Sequence, residues 1–160
     1  MRARTVRVLS FILAGVLLVA IGGALWLWLK TRTDADQQKE RAAATNVATQ
    51  LALRVDTFDG KNIDRYSKSI QALLTTKYKA EFDKQFEPFE QAFTQAKATG
   101  TGKILASGVG AFDADSATVL VVHDALVKST VGNQERHLRW TVDLVKVDGR
   151  WLVDDFNPVN

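Results

Sequence analysis

From Val8 to Leu29 the chain runs for 22 residues, VLSFILAGVLLVAIGGALWLWL, without one ionisable side chain. As a helix this run is roughly 33 Å long at about 1.5 Å per residue, and a bilayer's hydrocarbon core is roughly 30 Å thick. A helix of a small soluble domain buries one stripe. A segment apolar on every side finds no such place and reads as a membrane span. Trp26 and Trp28 stand at its C-terminal end, where an indole buries its ring and wets its N–H at the headgroups. Ala20, Gly22 and Ala24 leave a cleaved export signal as the alternative. The run continues past them through both tryptophans, which favours an uncleaved anchor.

Charge separates this end from the rest. Residues 1–33 carry Arg2, Arg4, Arg7, Lys30 and Arg32 and no acid, so the remaining residues hold 16 basic and 18 acidic groups, a net of −2. The basic balance of the whole chain, +3, therefore belongs to the anchor, and the globular part has no excess suited to nucleic acid. The reading is a cytoplasmic tail (1–7), a transmembrane helix (8–29), a juxtamembrane segment (30–41) and an extracytoplasmic domain (42–160), single-pass in the plasma membrane. Lys30, Arg32, Lys39 and Arg41 nearly balance the three arginines before the span, so the outward orientation rests on the export of a long folded domain.

After the anchor, Thr33 or Asp34 is placed to cap a helix, and apolar residues recur at Ala44, Val47, Leu51, Val55 and Phe58, one helical stripe ending at Asp59-Gly60. A second stripe is Ile63, Tyr66, Ile70, Leu73 and Leu74. A third is Tyr78, Phe82, Phe86, Phe89 and Phe93, with Pro88 expected to kink it or to open a new helix. Aromatics at helical spacing are read as a core face rather than a ligand box. From Thr99 the pattern changes. ATGTGK reads as a loop, lacking the Gly-Lys-Ser/Thr of a phosphate loop. Four β-rich runs follow: Lys103–Phe112, with Gly108 and Gly110 signalling a bulge, then Ala117–Lys128, His137–Val147 and Arg150–Phe156. Asp113–Ser116 reads as a turn and residues 131–135 as a longer loop. In the third run Leu138, Trp140, Val142 and Leu144 alternate with polar residues, and the slip at Val145 and Val147 predicts a bulge there. Asp148-Gly149 predicts a tight hairpin. Helices followed by hairpin-linked strands give an α+β fold, about three helices packed on one face of a four-stranded antiparallel sheet.

The chemistry is sparse. There is no cysteine, and His123 and His137 are the two histidines, so thiolate and histidine-rich metal centres are excluded. Acid/base candidates are His123, Asp124, Asp143, Asp154 and Asp155. His123 lies in phase with Val119 and Val121 and reads as a buried structural histidine. Asp154 and Asp155 are adjacent, so on a regular strand they point to opposite faces and form no carboxylate dyad. No catalytic, cofactor-binding or metal-binding residue is assigned from these spacings, and neither Asp154 nor His123 is expected to be needed for function beyond stability.

Four stretches carry a resemblance: LLTTKYKAEF (73–82), the passage from Phe93 to the TGTG of 99–102, LASGVGAFDADSATVLV (105–121) and VDGRWLVDDF (147–156). Together with the anchor they resemble the Mce-associated membrane proteins of actinobacteria. The resemblance implies a nuclear-transport-factor-2-like, VirB-type cone outside the membrane. It also implies a non-enzymatic accessory or stabilising subunit of an Mce-type lipid import complex, with Mce subunits, the bilayer and a lipid as partners and no cofactor. The alternatives are an inner-membrane scaffold like those of type IV secretion, and a membrane-tethered cone-fold enzyme of the cyclase or isomerase kind.

Overall fold

The computed structural model describes residues 34–130 and 132–159. The proposed tail, transmembrane helix and start of the juxtamembrane segment lie outside them. Among the described residues no helix is long and apolar enough to cross a membrane. Residues 34–40 belong to an N-terminal unit, are helical and mostly exposed, and carry an Asp36–Lys39 pair at 3.7 Å. The second unit, Arg41–Asn160, holds the folded body.

The body starts with helix α1 (41–56), strand β1 (Phe58–Asp59) and a short 3-10 turn. Helices α2 (Ile63–Gln71) and α3 (Thr76–Gln95) follow, then β2 (Thr99–Phe112), β3 (Ser116–Ser129), β4 (Gly132–Val147) and β5 (Arg150–Pro158). The fold is α+β, as expected, but the sheet has five strands rather than four, an antiparallel meander in the order β1 to β5. The added strand is the two-residue β1, too short for a periodicity to show. It pairs Phe58 with Gly100 and Asp59 with Thr99.

Several boundaries move. Helix α1 stops at Asp56, before the Asp59-Gly60 pair. TGTGK is the start of β2 rather than a loop, and residues 132–135 belong to β4. Pro88 sits inside α3, which runs through it without starting anew. Both expected turns form: the Asp113 amide bonds the Ser116 carbonyl at 2.8 Å, and Asp148 and Gly149 both have positive φ, +49° and +75°.

Three strand residues have no opposite partner, and such bulges curl a sheet. Leu105 and Gly110 are skipped where β2 pairs with β3, so the glycine signal in that run is met. The bulge expected on the third run instead falls on its neighbour: Asp143 pairs with Asp155 and Leu144 with Val153, leaving Asp154 as the extra residue of β5. The slip in apolar phase at Val145 and Val147 marked the right hairpin and the wrong strand.

The inner face of the sheet supplies Val119, Val121, Val142, Leu144, Trp151 and Val153, the helices supply Leu51, Ile70 and Tyr78, and the link between α2 and α3 supplies Leu74, all buried. Each fully buried aliphatic side chain contributes about 1.5–3 kcal/mol relative to exposure. The buried stripe of α1 is Ala44, Ala48, Leu51, Ala52 and Asp56, with Val47 and Val55 only partly covered. The face is thus rotated from the expected one toward its alanines, whose small side chains let the helix approach the sheet.

Candidate functional site

The sequence placed no site. Two of the three buried polar residues among those described, Asp56 and His123, meet where the end of α1 reaches the sheet. Asp56 follows Ala48 and Ala52 at four-residue spacing, so the helix carries its carboxylate onto the buried face. β3 alternates Val119, Val121 and His123 inward, so the imidazole arrives at the same depth. Asp56 Oδ2 and His123 Nδ1 form a hydrogen-bonded pair with side chains 4% and 0% exposed. The His123 ring stands edge-on to Trp140 at 4.6 Å between centroids. Its Nε2 is buried and has no hydrogen-bond partner among the described residues.

The TGTG passage makes the approach possible. A Cβ built on Gly100 would lie 2.4 Å from the Asp56 carbonyl oxygen and 2.3 Å from the Phe58 ring, and one on Gly102 would lie 2.6 Å from Asp56 Cβ. Only glycine lets the chain of residues 56–58 lie directly on β2, a use of glycine for close approach rather than for a loop. The Thr57 hydroxyl then accepts from the Gly102 amide at 3.2 Å.

A cavity of about 410 Å³ opens beside the pair. Asp56, Phe58, Tyr66, Phe93, Arg136 and Trp140 are among its walls. The Tyr66 hydroxyl donates to the Val55 carbonyl at 2.8 Å, and burial, aided by the nearby Asp56 charge, pushes its pKa well up. His123 does not line this cavity; Asp56 does.

The remaining candidates are dispersed. Asp124 faces outward from β3 and meets His137 Nδ1 at 2.7 Å, which raises the His137 pKa through that hydrogen bond and the Asp124 charge. Glu135 lies close by, so Asp124, Glu135 and His137 bring three metal-ligating atoms within 4.8 Å of one another on an exposed face. Asp143 Oδ1 accepts from the Thr118 hydroxyl at 2.7 Å. The β5 bulge changes the geometry expected for the adjacent carboxylates: Asp154 and Asp155 line one cleft of about 600 Å³ together with Asp143 and Lys77. In it, Asp154 accepts from the Thr75 hydroxyl at 2.9 Å and from Lys77 at 3.2 Å. Thr75 Oγ1 in turn accepts the Tyr78 amide at 3.2 Å, capping α3. Backbone bonds between Leu73, Thr75 and Val153, both 2.8 Å, close the clasp. LLTTKY and LVDDF are therefore two halves of one structural contact, which ties the third helix to the edge strand.

Sequence reasoning missed Asp56 and Arg136. The signal for Asp56 was present: an acid in phase with three alanines on the buried face of a helix. Nothing local marked Arg136, which sits in a segment read as a loop border.

The fold has known relatives. The periplasmic domain of DotI superposes with a TM-score of 0.63 at 15% identity, covering 74% of this chain and 94% of that one. An IcmL-like type IV secretion system protein from Legionella pneumophila gives 0.64 at 14%, covering 75% and 94%. At such identities the likeness is one of fold, the cone shared by VirB8-like and nuclear-transport-factor-2-like domains. In sequence, the uncharacterized protein Rv1362c of Mycobacterium tuberculosis is 26% identical over 164 residues, covering 97% of this chain and 73% of the relative. Residues 4–155 match the model of a family described as uncharacterized protein Rv1363c/MT1408-like, and the chain belongs to that family.

Proposed function

We propose that the protein is a membrane-tethered, non-catalytic accessory subunit whose cone stands outside the plasma membrane and holds or stabilises an Mce-type lipid import complex. The observation that carries the non-catalytic part is the enclosure of the His123 imidazole. His123 is fully buried and turned on Asp56, so it meets no ligand without rearrangement of the cone. The charge-free run 8–29 supports tethering. A single span encloses no path of its own, so a role in transport requires partners. The Mce assignment rests on four stretches of sequence, of which residues 73–82 and 147–156 clasp α3 to β5 and Gly100 and Gly102 seat residues 56–58 on β2.

Deletion of the gene is expected to lower the abundance of the transporter in the membrane and to reduce lipid uptake, with incomplete rescue by the exported body lacking residues 1–30. Normal complex abundance and normal uptake in the deletion strain would reject this reading. The fold likeness to secretion-system domains favours a second one, a scaffold of a type IV secretion-like machine. Affinity purification of the full chain from native membranes separates the two, by recovery of Mce subunits or of secretion components.

A further inference from the structure

The cavity of about 410 Å³ beside the Asp56–His123 pair is of small-molecule size. Its walls are built in advance. Phe58 packs on Phe93 with centroids 4.7 Å apart and on Tyr66 at 5.8 Å, while the Tyr66 hydroxyl is spent on the Val55 carbonyl. Trp140 is held from behind by the His123 ring. Rings fixed by one another lose little freedom when a guest arrives. Because the Tyr66 hydroxyl is already donated, the aromatic interior suits an apolar body, and aromatic faces and edges suit a flat one.

Among the described residues two charged side chains line this cavity, and they differ in state. The Asp56 carboxylate is engaged by His123. Arg136 is exposed and gives its hydrogen bond to the neutral Gln134 amide at 3.0 Å; among the described residues it pairs with no carboxylate. The charged group on the wall without an ionic partner among the described residues is therefore one guanidinium, whose planar fork matches a carboxylate in two-pronged fashion. We propose that this cavity binds a small apolar monocarboxylate, its body between Phe58, Tyr66, Phe93 and Trp140 and its carboxylate on Arg136. This binding requires no chemistry on the ligand and stands independently of the assembly role.

The test is fluorine NMR of a fluorinated naphthoate added to the full chain in phosphatidylcholine nanodiscs, with empty nanodiscs correcting for partition into lipid. Saturable binding is expected, about tenfold tighter than for the matching neutral naphthylmethanol, the size of one charge-assisted contact. Arg136→Gln, at an exposed position that leaves the fold intact, is expected to abolish the preference for the anion while keeping the neutral compound's affinity. Ala125 also lines the cavity, and Ala125→Trp, which fills it, is expected to remove binding of both, with circular dichroism verifying that the body is folded. Binding no greater than to empty nanodiscs, equal affinity for anion and neutral compound, or an anion preference that survives Arg136→Gln would each overturn the proposal.

Discussion

Asp56 and His123 are 67 residues apart in the chain and meet inside the cone, both side chains buried and joined through Nδ1. The contact fixes the end of α1 against the middle strand of the sheet. Either group alone would be an unmatched polar side chain in an apolar interior, so each depends on the other.

Asp56→Ala is accordingly expected to cost about 3–5 kcal/mol, because it leaves the imidazole buried without a partner. The double variant Asp56→Leu/His123→Phe should cost much less than the sum of its single changes. Urea midpoints followed by tryptophan fluorescence give the cycle, and additive costs would mean that the pair contributes no coupling.

Gly100→Ala and Gly102→Ala should destabilise by about 1–3 kcal/mol each through overpacking, since their Cβ atoms meet Asp56 and Phe58 at 2.3–2.6 Å. Gly108→Ala is the control. Its Cβ meets nothing within 4 Å, and its midpoint should stay unchanged or rise slightly. Equal effects at all three positions would contradict the close approach of residues 56–58 to β2.

Trp151 is 6% exposed on the inner face. Trp151→Ala should cost about 3–5 kcal/mol. Gly149, at φ +75°, turns the hairpin just before it. Gly149→Val should cost about 1–2 kcal/mol from backbone strain alone. Thermal midpoints unchanged in both variants would displace the hairpin.

The tyrosines of the chain are Tyr66 and Tyr78. Burial, with Asp155 beside it, pushes the Tyr78 pKa up to about 12 from 10.0. Its folded pKa lies above the unfolded one. The stability it contributes is therefore complete below pH 10 and is lost as pH rises toward about 12. In Tyr66→Phe, phenolate absorbance should develop with a midpoint near 12 in the folded protein. A midpoint near 10 with the fold intact would show that Tyr78 is exposed to water.

What the chain alone determined was everything that depends on neighbours in sequence. The charge-free run, the α-to-β order and the inward set Leu138, Trp140, Val142 and Leu144 follow from period and composition. The Asp148-Gly149 hairpin follows from the positive φ such a turn demands. Burial of His123 was legible from its phase with Val119 and Val121. Tertiary structure decided the rest, because it depended on which element came to lie over which. β1 is two residues long and exists because β2 runs beside it. TGTG looked like a loop because glycine resists regular strand structure in isolation, yet here it makes room for Asp56 and Phe58. The bulge at Asp154 brings two carboxylates into one cleft where a regular strand would part them. The cavity needs Phe58, Tyr66, Phe93 and Arg136 from four separate elements. No periodicity reports the distance between elements, and that distance is set only when α1, with its alanine face, packs down on the sheet.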